Sequence, residues 1–265
     1  MTFMNRRTFL LVLGFMACVI LSATVRGDVA TTKKSAATQP FGPAVLPGKR
    51  LAEHDFFYAG EGKVERLSIV RGGKIDWSYT HDAKGEISDA VRLTNGNILF
   101  AHQFGVTEIS PDEKVVWDFA APAGTEIHVA KPIGTEHVMM IENGAPAKLV
   151  VVNIVSGKTE REFELPVKNP AKVHPQFRDA EITANGTVMV AHMDLGKVVE
   201  YDENGKDLWE VDVPGVWSVQ PLANGNILVS STKKFVREID RDKNVVWEWT
   251  AADSPEYRLA ATGPA

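Results

Sequence analysis

Three pairings of an imidazole with a carboxylate give this chain its clearest capacity for chemistry: His102 with Asp89, His128 with Glu142, and His192 with Asp179. A carboxylate beside an imidazole fixes its tautomer and raises its basicity. Such a pair can work as a general acid or base, or hold a divalent metal through the other ring nitrogen. Arg178 is a candidate anion clamp, and Trp217 a further candidate ligand contact at the same end of the fold.

The pairs come from the elements that must position them. Val91 to His102, with Asn95-Gly96 at its centre, returns as Glu181 to His192 around Asn185-Gly186, and again from Gln220 around Asn224-Gly225. Asn-Gly between alternating apolar runs is a two-residue hairpin signal, because both central turn positions then need positive φ. Counting outward from such turns sets Asp89 opposite His102, Asp179 opposite His192 and Ser218 opposite Ser231. A three-residue turn at Gly134-Thr135-Glu136 sets His128 opposite Glu142. Directly opposed residues share a sheet face. The pairs therefore gather toward one end of the fold, and His81, Glu86, Glu126, His174, Arg178 and Trp217 belong near that end as well.

Asn95 and Asn185 are 90 residues apart and Asn224 follows 39 later, a period close to that of a four-stranded propeller blade. Each repeat ends on a polar turn feeding a strand with an aromatic: Trp77, Trp117, Phe163, Trp209 and Trp247. The expected fold is all-β, a β-propeller of four-stranded antiparallel blades, about five in number. The Trp column is expected to fill the space between neighbouring blades. The first repeat lacks its opening strand. Either the C-terminal segment around residues 256–260 closes the ring, or the ring is incomplete and an open edge invites self-association.

The repeated pairs have a scaffold reading and a site reading. Buried polar groups pair for satisfaction alone, and a single active site has no need of copies. In the site reading, His102, His128 and His192 are metal or ligand candidates steered by Asp89, Glu142 and Asp179. No local ligand spacing such as His-Glu-x-x-His supports it, and there is neither a phosphate loop nor a Gly-x-Ser-x-Gly elbow. The acidic runs at 202–205 and 240–244 suit polar turns better than calcium loops.

Residues 1–27 read as an export signal: Arg6-Arg7 of twin-arginine type leads an uncharged run from Thr8 to Val25. An uncleaved membrane anchor is the alternative, since 18 residues can just span a bilayer. Residues 28–50 read as a flexible linker and 51–265 as the propeller domain. The expected location is the periplasm or the exterior, with no membrane insertion of the mature domain. Cys18 is the sole cysteine, so the processed domain lacks disulfides and thiolate ligands. Three of the 29 basic residues and none of the 34 acidic ones fall in the signal, leaving a net charge of −8 and disfavouring nucleic acid as a partner.

The Gly-Lys turns followed by Trp, as in Tyr201 to Trp209, resemble those of exported bacterial β-propellers with PQQ-like (quinoprotein alcohol dehydrogenase-like) repeats. Segments His54 to Glu61 and Ala101 to Glu108 are similar to an uncharacterised subgroup whose members run longer, which implies a chain shortened at its C-terminus. Quinone-dependent members imply adjacent cysteines and eight blades, neither of which fits here. PQQ is not expected and no cofactor is predicted. The leading functional expectation is a non-catalytic propeller binding a small polar ligand, a saccharide or a protein partner on its loop-rich face. The alternatives are a His- or metal-dependent enzyme with its site on the propeller axis, and a truncated structural paralogue.

Overall fold

A computed structural model of the chain describes residues 55–60, 64–81 and 85–253. The proposed signal, the linker and the candidate closing strand at 256–260 lie outside those residues. All regular structure described is β, in five antiparallel sheets whose strands pair in sequence order. Blade 1 contains β1 (Phe56–Gly60), β2 (Arg66–Arg71) and β3 (Lys74–Thr80). Blade 2 contains β4 (Ile87–Arg92), β5 (Ile98–His102), β6 (Gly105–Ile109) and β7 (Val115–Ala120). Blade 3 contains β8 (Glu126–Ile133), β9 (His137–Asn143), β10 (Ala147–Asn153) and β11 (Lys158–Leu165). Blade 4 contains β12 (Phe177–Ile182), β13 (Val188–His192), β14 (Lys197–Tyr201) and β15 (Asp207–Asp212). Blade 5 contains β16 (Val216–Pro221), β17 (Ile227–Ser231), β18 (Phe235–Ile239) and β19 (Val245–Thr250). Together they form a five-bladed β-propeller, with blades 2 to 5 four-stranded and three strands described in blade 1.

Sequence periodicity explains which strands lie inside. β5 and β6 are buried at every residue, because both of their faces meet a neighbouring blade. β7, Val-Val-Trp-Asp-Phe-Ala, has no fully buried residue, turns Trp117 and Phe119 inward at alternate positions and forms the outer strand of its blade. Four apolar seams join the blades. Leu67 and Tyr79 meet Ile87 and Phe100 between blades 1 and 2, and Ala101 and Val106 meet Ile127 and Met140 between 2 and 3. Ile141 and Leu149 meet Phe177 and Tyr201 between 3 and 4, and Ala191 and Val198 meet Val216 and Val229 between 4 and 5.

The turns differ from the expectation, and the difference moves the register. Asn95 keeps a negative φ while Gly96 takes +91°. Leu93 N–H donates to Asn97 and Gly96 N–H to Leu93, which is a three-residue loop closed by a left-handed glycine. The loops at Thr183 to Thr187 and Leu222 to Asn226 repeat this pattern. The inner hairpins of blades 2, 4 and 5 are therefore one residue out of the expected register, while the three-residue turn at Gly134 gives blade 3 the expected one; each innermost strand adds a further shift. Ser88, His128, Arg178 and Trp217 are the extra residues of four β-bulges at equivalent positions in β4, β8, β12 and β16. Asp89 consequently pairs with Ala101, and His102 with Ile87. Asp179 pairs with Ala191, and His192 with Phe177. Glu142 pairs with Ile127 and Ser218 with Ser230. None of the expected imidazole and carboxylate pairs forms.

Candidate functional site

The four bulges build the site. A bulge inserts one residue, bends its strand and re-aims the side chain. On the innermost strands that turns Ser88, His128 and Arg178 toward one another. Ser88 Oγ lies 2.8 Å from His128 Nδ1, and Arg178 Nη1 lies 3.3 Å from the same nitrogen. The Arg178 guanidinium also sits 5.1 Å from the centre of the Trp217 ring, within cation–π range.

Groups next to the bulges complete the cluster. Glu86 and Glu126 each lie two residues before a bulge, and His174 comes from the connection between blades 3 and 4. Glu126 Oε2 is 2.9 Å from His128 Nε2 and 2.7 Å from His174 Nδ1, while Gln103 donates to Glu126 Oε1 at 3.0 Å. Arg178 donates to Glu86 through Nη1 and to His174 Nε2 through Nη2. Burial works to raise the Glu86 pKa, but contact with His128 and the charge of Arg178 outweigh it and hold the carboxyl well below its ordinary range. The His128 contact, helped by Gln103 and His174, brings Glu126 down to about 2 against its partial burial. Both acids are ionised at neutral pH.

A second polar layer follows along the same inner strands. Lys131 Nζ lies 3.0 Å from Asp89, 3.4 Å from Asp179 and 2.9 Å from Glu181. Burial opposes the charge on Lys131, but the three carboxylates prevail and raise its pKa well above the ordinary lysine value. Desolvation pushes Asp179 up to about 7 despite Lys131. Asp89 and Asp179 also latch blades together. Asp89 Oδ2 accepts the Ala130 N–H at 3.1 Å, and Asp179 Oδ2 accepts the Val219 N–H at 3.0 Å. Both satisfy an inner-edge backbone donor of the next blade.

Among the expected site residues, the structure brings together His128, Arg178 and Trp217 in one cluster and Asp89 and Asp179 in another. His102 and His192 belong to neither. His102 packs on His81 and Phe100 in the seam of blades 1 and 2, with Nε2 3.0 Å from Thr107 Oγ1. His192 packs on Phe177 in the seam of blades 3 and 4, with Nε2 2.9 Å from the Tyr201 hydroxyl. Burial lowers both imidazoles to about 4. The three-histidine metal set is thereby corrected: seam packing holds two of its members away from the third. Glu142 lies across from Lys148 on β10, away from His128. Arg178, expected to clamp an anion, already holds Glu86.

Ser88, Lys131 and Glu181 were missed, and Glu86, Glu126 and His174 were placed at the correct end without a role. The signal was present as a column. Aligning the repeats on Ala90, Ala130, Ala180 and Val219 sets Ser88, His128, Arg178 and Trp217 in one register, each polar or aromatic beside a buried small residue.

A shallow depression of about 370 Å³ adjoins the cluster, lined by Phe104, Ala121 to Glu126 and Val173. The Phe104 ring is 50% exposed.

No family model matches the chain, and no curated protein matches it. Solved structures do. A protein of unknown function from Bacteroides caccae shares 24% identity with a TM-score of 0.65, covering 74% of this chain and 72% of its own. The WD40 β-propeller domain of Doa1 shares 19% identity with a TM-score of 0.55, covering 69% of this chain and 62% of its own. A catalytically inactive histidine-to-alanine variant of virginiamycin B lyase from Staphylococcus aureus, solved with quinupristin, shares 13% identity with a TM-score of 0.54, covering 76% and 72%. These likenesses establish the propeller fold. Among the described residues, no helix is long and apolar enough to cross a membrane.

Proposed function

We propose that the chain is an exported propeller, of the kind with PQQ-like repeats, that binds a small neutral saccharide without transforming it. The observation that carries this reading is the half-exposed Phe104 ring sharing a depression with Glu126. An aromatic face receives the apolar face of a sugar ring, and a carboxylate beside it accepts hydroxyl protons. Titration calorimetry against a panel of neutral mono- and oligosaccharides tests the proposal. The expected result is saturable binding that Phe104→Ala weakens about tenfold, a loss of roughly 1.4 kcal/mol. Wild-type protein that binds none of the panel, or a Phe104→Ala variant that binds equally well, overturns it.

One observation favours an enzyme instead: Ser88 Oγ, His128 and Glu126 stand in line as nucleophile, base and orienting acid. Burial counts against it, since Ser88 is 8% and His128 0% exposed. Labelling of Ser88 by a fluorophosphonate probe would transfer the reading to catalysis; no labelling is expected.

A further inference from the structure

The hydrogen bonds of the axial cluster fix its imidazoles in a particular way. Glu126 Oε2 faces His128 Nε2 at 2.9 Å and His174 Nδ1 at 2.7 Å, so each of those nitrogens carries the proton that it donates. The remaining nitrogens are His128 Nδ1, which lies 2.8 Å from Ser88 Oγ and 3.0 Å from Glu86 Oε1, and His174 Nε2; in the neutral rings these are the atoms able to ligate a metal. Both point at the Arg178 guanidinium, as does Glu86. One ligand atom each from Glu86, His128 and His174 lie within 4.8 Å of one another. Two imidazole lone pairs and a carboxylate are the donor set of a catalytic zinc centre, and a carboxylate taking the far N–H of each imidazole is the outer support that such ligands require.

Arg178 occupies the convergence point as a cation, but incompletely. Its buried Nε has no hydrogen-bond partner among the described residues. The Trp217 face beside it offers a resting place for the guanidinium. We propose that Glu86, His128 Nδ1 and His174 Nε2 bind a divalent transition-metal ion of the zinc class, with Arg178 as the exchangeable cation that fills the site when the metal is absent. Nitrogen donors outnumber oxygen in the set, which selects zinc or cobalt over magnesium or calcium. The metal and saccharide proposals share Glu126 but are tested apart, one through His174 and the other through Phe104.

The experiment uses tag-free, chelator-stripped protein titrated with zinc chloride by calorimetry, and with cobalt chloride followed by visible absorption. The expected result is one equivalent of zinc, a cobalt spectrum of tetrahedral intensity and no saturation by magnesium. His174 is 49% exposed, so His174→Gln is compatible with folding and should abolish both signals. Glu126→Gln should weaken zinc about 10- to 100-fold. Arg178→Ala should tighten it about tenfold by removing the competing cation. Zinc uptake that His174→Gln leaves unchanged, or no saturable zinc in either wild type or Arg178→Ala, overturns the site. Weaker zinc binding by a folded Arg178→Ala overturns the exchange.

Discussion

His192 shows what a single buried residue contributes. The Tyr201 hydroxyl, whose pKa burial raises well above normal, keeps its proton and donates it to His192 Nε2, so the ring sits neutral between Phe177 and Tyr201. Its folded pKa of about 4 lies below the ordinary histidine value of 6.5, so the unfolded chain binds a proton that the folded one refuses. The stability supplied by neutral His192 is complete above 6.5 and is lost as the pH falls toward 4, by on the order of 3 kcal/mol. Urea midpoints measured between pH 7 and 4.5 should fall for wild type and fall less for His192→Gln; parallel curves would show that His192 does not titrate this way. Asp179 acts in the opposite sense. Its pKa of about 7 gives the folded state a proton that the unfolded state lacks, so stability declines as pH rises from about 4 to 7. Asp179→Asn should remove that decline, which a pH series of thermal midpoints can check. Residue types alone singled out His192 and Asp179, but as partners of each other. Their real partners, Tyr201 and Lys131, lie across a seam and along the axis, where hairpin counting does not reach.

Elements were more legible than their registers. Asn-Gly dipeptides located the inner hairpins, and the polar turns located the outer strands. The turn closing each blade places a residue at positive φ: glycine at 73, 157 and 205, but Glu113 and Lys243 in the other two. The bulges were not legible, because an extra residue in a strand shifts the pairing without changing the residue types on either side of it. Those bulges create the Lys131 layer by setting Asp89 and Asp179 against the next blade. Lys131→Met tests that layer. Three carboxylates would then share a buried site without a counter-charge, at a cost of about 3–5 kcal/mol. Adding Asp179→Asn should recover part of the loss, because it removes one of the like charges. Chemical denaturation of the single and double variants measures both steps. A double variant no more stable than the single one would mean that Asp179 is not coupled to Lys131.

Across the whole molecule, the Trp column reports how blades follow one another. Trp77 Nε1 donates to the Pro111 carbonyl at 3.0 Å and Trp209 Nε1 to the Arg241 carbonyl at 2.9 Å, each reaching the outer turn of the next blade. Arg241 lies over the Trp209 ring and pairs with Glu200, which ties blade 5 back to blade 4. Trp117 packs into the seam with blade 3. Trp247 holds the same register opposite Glu238 but is 49% exposed, with no following outer turn over it among the described residues. Its neighbours Val245 and Val246 do not explain this, since Val115 and Val116 are equally exposed where Trp117 is covered. The repeat in the sequence made all four tryptophans look equivalent; among the described residues Trp77, Trp117 and Trp209 are covered by the next blade and Trp247 is not. Trp209→Ala should therefore cost about 3–5 kcal/mol through the lost seam contacts and hydrogen bond. Trp247→Ala should cost under about 1 kcal/mol, since an exposed ring has little burial to lose. Urea denaturation of the two variants decides the matter. Equal losses would show that another surface covers Trp247 in solution, and a concentration-dependent loss for Trp247→Ala alone would identify that surface as a second copy of the chain.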